Sequence, residues 1–249
     1  METLSGKIAI VTGGTRGIGR AIAERLLREG VSVAICGRSQ DSVEQAVGEM
    51  KPLGRIFGHP ADVSSIDQVR SFFHAVDVEF GGLDILVNNA GQAAFRKVAD
   101  LTPAEWHRNI DLNLNGPFYC SHEALPRFAR RGGGFIVNIS SLAGKNAFTG
   151  GAGYNASKAG LNLFTEALML DHRHDNVRVC SIMPGSVDTD FTGDPDKPAG
   201  EAGAGKAKAG TASWMIAPAD IAETVALVLC MPARTMISRV EMRPSRPQK

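Results

Sequence analysis

Short runs of β-branched and apolar residues alternate along the chain with longer stretches in which apolar residues recur every third or fourth position. The first pattern predicts strands at 7–12, 31–36, 55–58, 83–88, 135–140, 177–183 and 236–242. The second predicts helices opening near Gly17, Asp41, Ser65, Pro103, Gly153 and Pro218. Runs such as Ile85-Leu86-Val87 and Phe135-Ile136-Val137 are apolar on both faces, as central strands must be when helices cover both sides of a parallel sheet. Strands alternating with helices at this spacing predict one α/β domain over 1–249, a doubly wound, mostly parallel seven-stranded sheet with helices on both faces. Two segments break the pattern. Residues 186–215 are rich in Gly and Ala and carry Pro195 and Pro198. So long an irregular stretch predicts a functional loop, a mobile lid over 190–213 with Phe191, Trp214 and Met215 as its apolar contacts. Residues 244–249 read as a frayed polar tail.

Composition narrows the function classes. With 27 basic and 26 acidic side chains the net charge is +1, which argues against a nucleic-acid partner. No apolar run approaches the roughly 20 residues that span a bilayer, and the N-terminus has no signal-peptide pattern. The four cysteines, Cys36, Cys120, Cys180 and Cys230, are widely spaced within or beside apolar runs. That pattern predicts buried, reduced thiols in a cytoplasmic protein with no structural metal. His172 and His174, among Asp171, Arg173 and Asp175, read as a solvated helix end. Asp188 and Asp190 read as loop polars, and Trp106 and Phe118 as core.

The first strand runs into Thr12-Gly13-Gly14-Thr15-Arg16-Gly17-Ile18-Gly19, and a helix follows. Glycines there let the backbone approach a pyrophosphate seated at the positive end of the helix, the arrangement of a Rossmann fold. Tyr154 and Lys158, four apart at the start of a helix, share one face. An ammonium about 4 Å from the phenol, at an effective dielectric near 20, favours the phenolate by roughly 4 kcal/mol. That would lower an ordinary phenol pKa near 10 by roughly three. The pair alone is equally compatible with a partly buried tyrosine beside a solvated lysine. Ser141 tips the balance, because it follows the strand at 135–140 at the carboxyl edge, where open α/β sheets bind ligands.

The motifs together resemble the short-chain dehydrogenase/reductase family, in its compact single-domain branch, over nearly the whole chain. They are the glycine turn at 12–19, Asp62-Val63, Asn88-Asn89-Ala90-Gly91, Asn113, Ser141, Tyr154-Asn155-Ala156-Ser157-Lys158, and Pro184-Gly185 followed by Thr189, in the family's order. The resemblance implies a hydride transfer between a nicotinamide cofactor and a carbonyl or secondary alcohol. Tyr154 would exchange the proton and Lys158 would lower its pKa and hold the nicotinamide ribose. Ser141 would hydrogen-bond the carbonyl oxygen, and Asn113 would support a relay behind the lysine. Gly13, Thr15, Arg16, Gly17, Ile18 and Gly19 would hold the phosphates, and Asp62 and Val63 would flank the adenine. Asn88, Asn89, Ala90 and Gly91 would line the cleft, with Pro184, Gly185, Val187 and Thr189 at the nicotinamide end.

NAD-specific relatives carry an acid after the second strand, where this chain has Gly37 and then Arg38. With Arg16 nearby, two guanidiniums and no carboxylate suit a 2′-phosphate, so NADP is favoured over NAD. The substrate pocket is expected from 92–95, 145–150 and the 186–215 loop. A 3-oxoacyl-[acyl-carrier-protein] reductase is the alternative, although the usual basic docking positions fall on Gly132 and Asp175. A non-catalytic cofactor-binding regulator is a remoter one, since such proteins usually lose the tyrosine or lysine. The helix from Tyr154 carries Ala159, Leu161, Leu163, Phe164, Ala167, Leu168, Met169 and Leu170 around much of its circumference. A stripe about 100° wide suffices to pack on a sheet, so a homotetramer is expected, or failing that a homodimer. A helix from about 103 to 130, with Leu114, Phe118 and Leu125, would provide a second contact, and the ending from Glu241 lacks the family's Gly-Gly.

Overall fold

The computed structural model describes residues 2–191 and 214–246. The expected lid therefore lies almost wholly outside the described residues, as do positions 247–249. Seven strands form one parallel sheet in the order β3-β2-β1-β4-β5-β6-β7. They are β1 (Ile8–Thr12), β2 (Ser32–Gly37), β3 (Ile56–Pro60), β4 (Ile85–Asn88), β5 (Gly134–Ile139), β6 (Val177–Pro184) and β7 (Arg239–Met242). The helices are α1 (Gly17–Arg28), α2 (Gln40–Met50), α3 (Ile66–Phe80), α4 (Pro103–Ile110), α5 (Gly116–Arg131), α6 (Ala152–His172) and α7 (Pro218–Leu229).

Alternate side chains of the central strands feed two cores. Ala9 and Val11 pack with Ile22 and Leu26 of α1, Ala46 and Met50 of α2, and Ile221 and Val225 of α7. Ile8 and Ile10 pack on the other face with Phe72 and Phe73 of α3, Cys120, Ala124 and Phe128 of α5, and Leu168 of α6. All four cysteines are free and buried, as expected. Strand order reverses between β1 and β4, which opens a crevice at the carboxyl edge of the sheet.

The expected single helix over 103–130 is interrupted. α4 starts in a capping box, with Pro103 in the first turn and Thr102 and Glu105 bonding each other's backbone N–H. A π-helical turn then spans Asp111–Asn115 before α5 continues. Pro117 lacks the N–H that would bond the Asn113 carbonyl in a regular helix. The widened turn, closed by Gly116 N–H on Asp111 O, takes up the mismatch.

Two residues expected in the core are not there. Trp106 is 39% and Phe118 is 47% exposed. α4 turns only Asn109 inward, and Phe118 stands on the exposed side of α5 against Tyr119, His122 and Phe164. The last strand is shorter than 236–242 and begins at Arg239. No described helix is long and apolar enough to cross a membrane.

Candidate active site

The glycine turn is fastened to the loop after β4. Thr12 Oγ1 accepts the backbone N–H groups of Asn89 and Ala90, both at 3.0 Å. Asn89 Nδ2 donates back to Thr12 O at 2.9 Å and Gly13 O at 3.2 Å. Gly19 sits where the helix passes this clamp: a Cβ there would overlap both Gly13 O and Asn89 Nδ2. Gly17 has φ +55° and faces Thr189 across the crevice. α2, α3 and α4 have side-chain caps from Ser39, Ser65 and Thr102. α1 alone among these has none, and no acid lies in its first turn. Its first N–H groups thus face the glycine turn without a side-chain acceptor, which is the chemistry a pyrophosphate requires.

The adenosine end is built from Thr15, Gly37 and Arg38. Gly37 lies under Thr15, whose Cγ2 would be 2.9 Å from an added Cβ. Arg16 and Arg38 are exposed and neither has an ion-pair partner among the described residues. By contrast, Arg20, Arg25 and Arg28 on the same layer are each engaged by a glutamate. Asp62 Oδ1 accepts from Ser64 N–H and its hydroxyl. Val63 is buried beside Gly116 and does not offer its side chain to a cleft. Asn88 also departs from expectation. It is buried, and its Nδ2 donates to Asn138 Oδ1 at 2.8 Å, tying β4 to β5; Asn89 occupies the crevice instead.

At the other end, Ser141, Asn113, Tyr154 and Lys158 converge. Ser141 follows β5, accepts Ala143 N–H at 3.1 Å and hydrogen-bonds the Tyr154 phenol. Lys158 is 4% exposed; its Nζ donates to Ile139 O at 2.9 Å and lies 5.8 Å from the Tyr154 ring centre. Asn113, presented by the π-helical turn, chelates the backbone of Gln92. Its Oδ1 accepts Gln92 N–H at 2.9 Å and its Nδ2 donates to Gln92 O at 2.8 Å. The same Nδ2 donates to Ser157 Oγ at 3.0 Å, and Ser157 donates to Tyr154 O at 2.8 Å. Gly91 borders both groups: a Cβ there would stand 3.1 Å from Asn113 Oδ1 and 3.8 Å from Lys158 Nζ.

Burial governs the charges. It lowers the Lys158 ammonium from 10.5 to about 8. It also raises the Tyr154 phenol, opposed by the Ser141 hydrogen bond. The sequence reading expected the lysine to lower the phenol. The ammonium instead spends a hydrogen bond on Ile139 O, and desolvation of the half-buried ring dominates. A phenol held in its neutral form is a proton donor at neutral pH. Sequence reasoning also missed the Ser157 and Gln92 links; nothing but proximity to Lys158 and to Gly91 marked them.

Pro184 O lies 3.4 Å from Ser141 Oγ, and Gly185 N–H donates to Met242 O. Val187 bridges to Ile216, which sets the direction of the chain toward Thr189. A dinucleotide crevice ending at a buried phenol–lysine pair defines a nucleotide-dependent oxidoreductase framework.

Known proteins specify the class further. The short chain dehydrogenase family model matches residues 7–199. An uncharacterized oxidoreductase of Staphylococcus aureus (strain MRSA252) is 32% identical over 244 residues, 98% of this chain and 100% of the relative. A 3alpha-hydroxysteroid dehydrogenase of Mediterraneibacter gnavus is 38% identical over 191 residues, 76% of each chain. The solved alcohol dehydrogenase of the archaeon Thermococcus sibiricus, complexed with 5-hydroxy-NADP, has TM-score 0.84 and 30% identity. That similarity covers 98% of this chain and 99% of the other. The chain belongs to the short chain dehydrogenase family and is an oxidoreductase of that family.

Proposed function

We propose that the protein is an NADP-dependent oxidoreductase acting on a carbonyl compound or its secondary alcohol. The observation that carries this reading is the meeting of Ser141 and a buried Lys158 at the Tyr154 phenol, on the sheet edge where α1 starts without a side-chain cap. The uncommitted Arg16 and Arg38 and the absence of an acid at Gly37 support the 2′-phosphate form, as does the 5-hydroxy-NADP in the Thermococcus sibiricus structure.

In this reading the first N–H groups of α1, with Gly13, Thr15, Gly17, Ile18 and Gly19, hold the pyrophosphate. Arg38 and Arg16 grip the 2′-phosphate, and Asp62 and the backbone of Val63 border the adenine. Asn89, Ala90, Gly91, Pro184, Gly185, Val187 and Thr189 line the remainder. A bound NADPH supplies the hydride that adds to the carbonyl carbon. Ser141 donates to the carbonyl oxygen, where negative charge develops. Tyr154 protonates that oxygen as the C=O π bond breaks. Lys158, with a pKa of about 8, exchanges protons near neutrality and so can resupply the phenolate left behind. Asn113 acts through Gln92 and Ser157 by fixing the start of α6 against the loop after β4. In the oxidative direction the same steps reverse.

The reading extends to assembly. Leu163 and Leu170, seven apart on α6, are 71% and 50% exposed, and the exposed Phe118 of α5 meets Phe164 of the same helix. Such a face supports a symmetric contact between copies, in a homotetramer, or a homodimer if the Glu241–Lys249 ending forms no second interface. One domain of cytoplasmic location completes the reading. Its test is NADPH oxidation followed against a panel of ketones and aldehydes: substrate-dependent oxidation is expected, and none with any carbonyl overturns it.

A further inference from the structure

Three phenylalanines from three separate segments cluster at the Tyr154 ring, two of them against it and the third against Phe95. Phe95, from the loop after β4, meets Tyr154 edge to face, with centres 5.8 Å apart and planes at 84°. Phe148, from the loop after β5, meets Phe95 at 5.5 Å and 76°. Phe191, beyond β6, meets Tyr154 at 5.9 Å and Phe95 at 6.4 Å.

The placement of these rings is held by the backbone. Arg96 bridges to Gly151, which joins the segment carrying Phe95 to the one carrying Phe148. Gly151 is closely covered by Phe148, whose Cζ would be 2.7 Å from a Cβ there. Thr189 Oγ1 accepts Phe191 N–H at 3.3 Å. Phe148 and Phe191 are nevertheless exposed. Exposed rings converging on a reactive group mark a binding wall, since single apolar side chains on a surface do not cluster in this way.

The charges of the same loops point the same way. Arg96 is engaged by Glu105 at 3.7 Å, and Lys145 pairs with Glu241. Neither of these two is left to receive a carboxylate or phosphate on the substrate, and Lys97, the remaining cation among the described residues of these loops, lies exposed. A charged substrate would lose hydration against phenyl walls without a counter-ion. A ring-bearing one would offer flat or alicyclic surface to three aromatic edges.

We propose that the substrate is an uncharged, ring-bearing ketone or its secondary alcohol, held by Phe95, Phe148 and Phe191 with its oxygen at Tyr154 and Ser141. The inference rests on the oxidoreductase reading above and adds the class of molecule reduced. Rigid rings lose little freedom on binding, which favours them over flexible chains of equal carbon count.

The test compares kcat/KM for NADPH-dependent reduction of 2-decalone, cyclohexanone, 2-decanone and acetoacetate, with NADPH binding followed separately by its fluorescence. From ring contacts alone, 2-decalone should exceed 2-decanone by about tenfold and acetoacetate by more. Phe148→Ala and Phe191→Ala should each lower the ratio of 2-decalone to 2-decanone by about threefold to tenfold. If 2-decanone or acetoacetate is reduced as well as 2-decalone, the substrate inference is wrong while the oxidoreductase reading stands. If NADPH is not oxidised by any of the four, nor by the wider panel, both fall. The comparison on the unmodified protein decides the matter even if a variant fails to fold.

Discussion

Lys158 is a charge kept where charge is unfavourable, and removing it should make the protein more stable. Its pKa falls from 10.5 to about 8 on burial, which corresponds to a cost of about 3 kcal/mol for carrying the proton in the folded state. Replacing it with methionine, of similar length, removes that cost and loses the hydrogen bond to Ile139 O, worth about 1 kcal/mol. At pH 7 the Lys158→Met protein should therefore be more stable by about 2 kcal/mol. The pH dependence has a definite sign. Below pH 8 the amine is protonated in both folded and unfolded chains, and the wild type carries the full penalty. Between about 8 and 10.5 the unfolded chain binds the extra proton, so wild-type stability rises with pH. The gap should close by about 2 kcal/mol between pH 7 and pH 10, and with the hydrogen bond counted it falls to near zero. Urea unfolding of both proteins at the two pH values, at one protein concentration, measures it. A gap that does not change with pH would refute the assignment of a penalised buried ammonium. Activity should be lost in the same variant, the usual exchange of stability for function.

Other consequences are independent of that lysine. Gly19→Ala should abolish cofactor binding and lower thermal stability, because its Cβ would overlap Gly13 O and Asn89 Nδ2; calorimetry and NADPH titration would show it, and a native-like melting curve with normal binding would contradict it. Arg38→Ala should weaken NADPH by roughly tenfold to a hundredfold, from the loss of one charge-assisted contact, with NADH nearly unchanged; equal losses for both cofactors would count against a 2′-phosphate site. An acid at Gly37 is a poorer probe than it looks in sequence, since Thr15 Cγ2 would lie 2.9 Å from its Cβ. Leu163→Glu together with Leu170→Glu should shift the mass seen by light scattering to that of a smaller assembly; an unchanged mass would place the interface elsewhere.

The sheet was legible because its central strands are apolar on both faces, a pattern that little else produces, and the glycine turn fixed which strand comes first in the crevice. The side chains proposed as catalytic were legible as residue types in order. Their relations were not. The π-helical turn that presents Asn113 arises because Pro117 withholds one N–H, and periodicity registers that only as an ordinary helix with a proline near its middle. Trp106 and Phe118 show the opposite error: their helical spacing suited a core, but α4 turns Asn109 inward and leaves Trp106 outside, and α5 leaves Phe118 exposed. The phenol was expected to be lowered by Lys158 on a distance assumed from helix geometry. Lys158 spends its hydrogen bond on Ile139 O, a partner 19 residues away that sequence spacing does not reveal. The aromatic wall joins residues 95, 148 and 191, a grouping that only the folded chain creates.

The central claim is that Tyr154 is the proton donor to a carbonyl reduced at the expense of NADPH. Tyr154→Phe keeps the ring that packs against Phe95 and Phe191 and removes only the hydroxyl bonded to Ser141. The deciding measurement is single-turnover NADPH oxidation by this variant and the wild type, with NADPH affinity determined on the same samples. The account predicts a rate lower by at least roughly a hundredfold, the usual scale of general acid catalysis, with affinity changed less than about twofold. A wild-type rate in Tyr154→Phe with NADPH bound would contradict it.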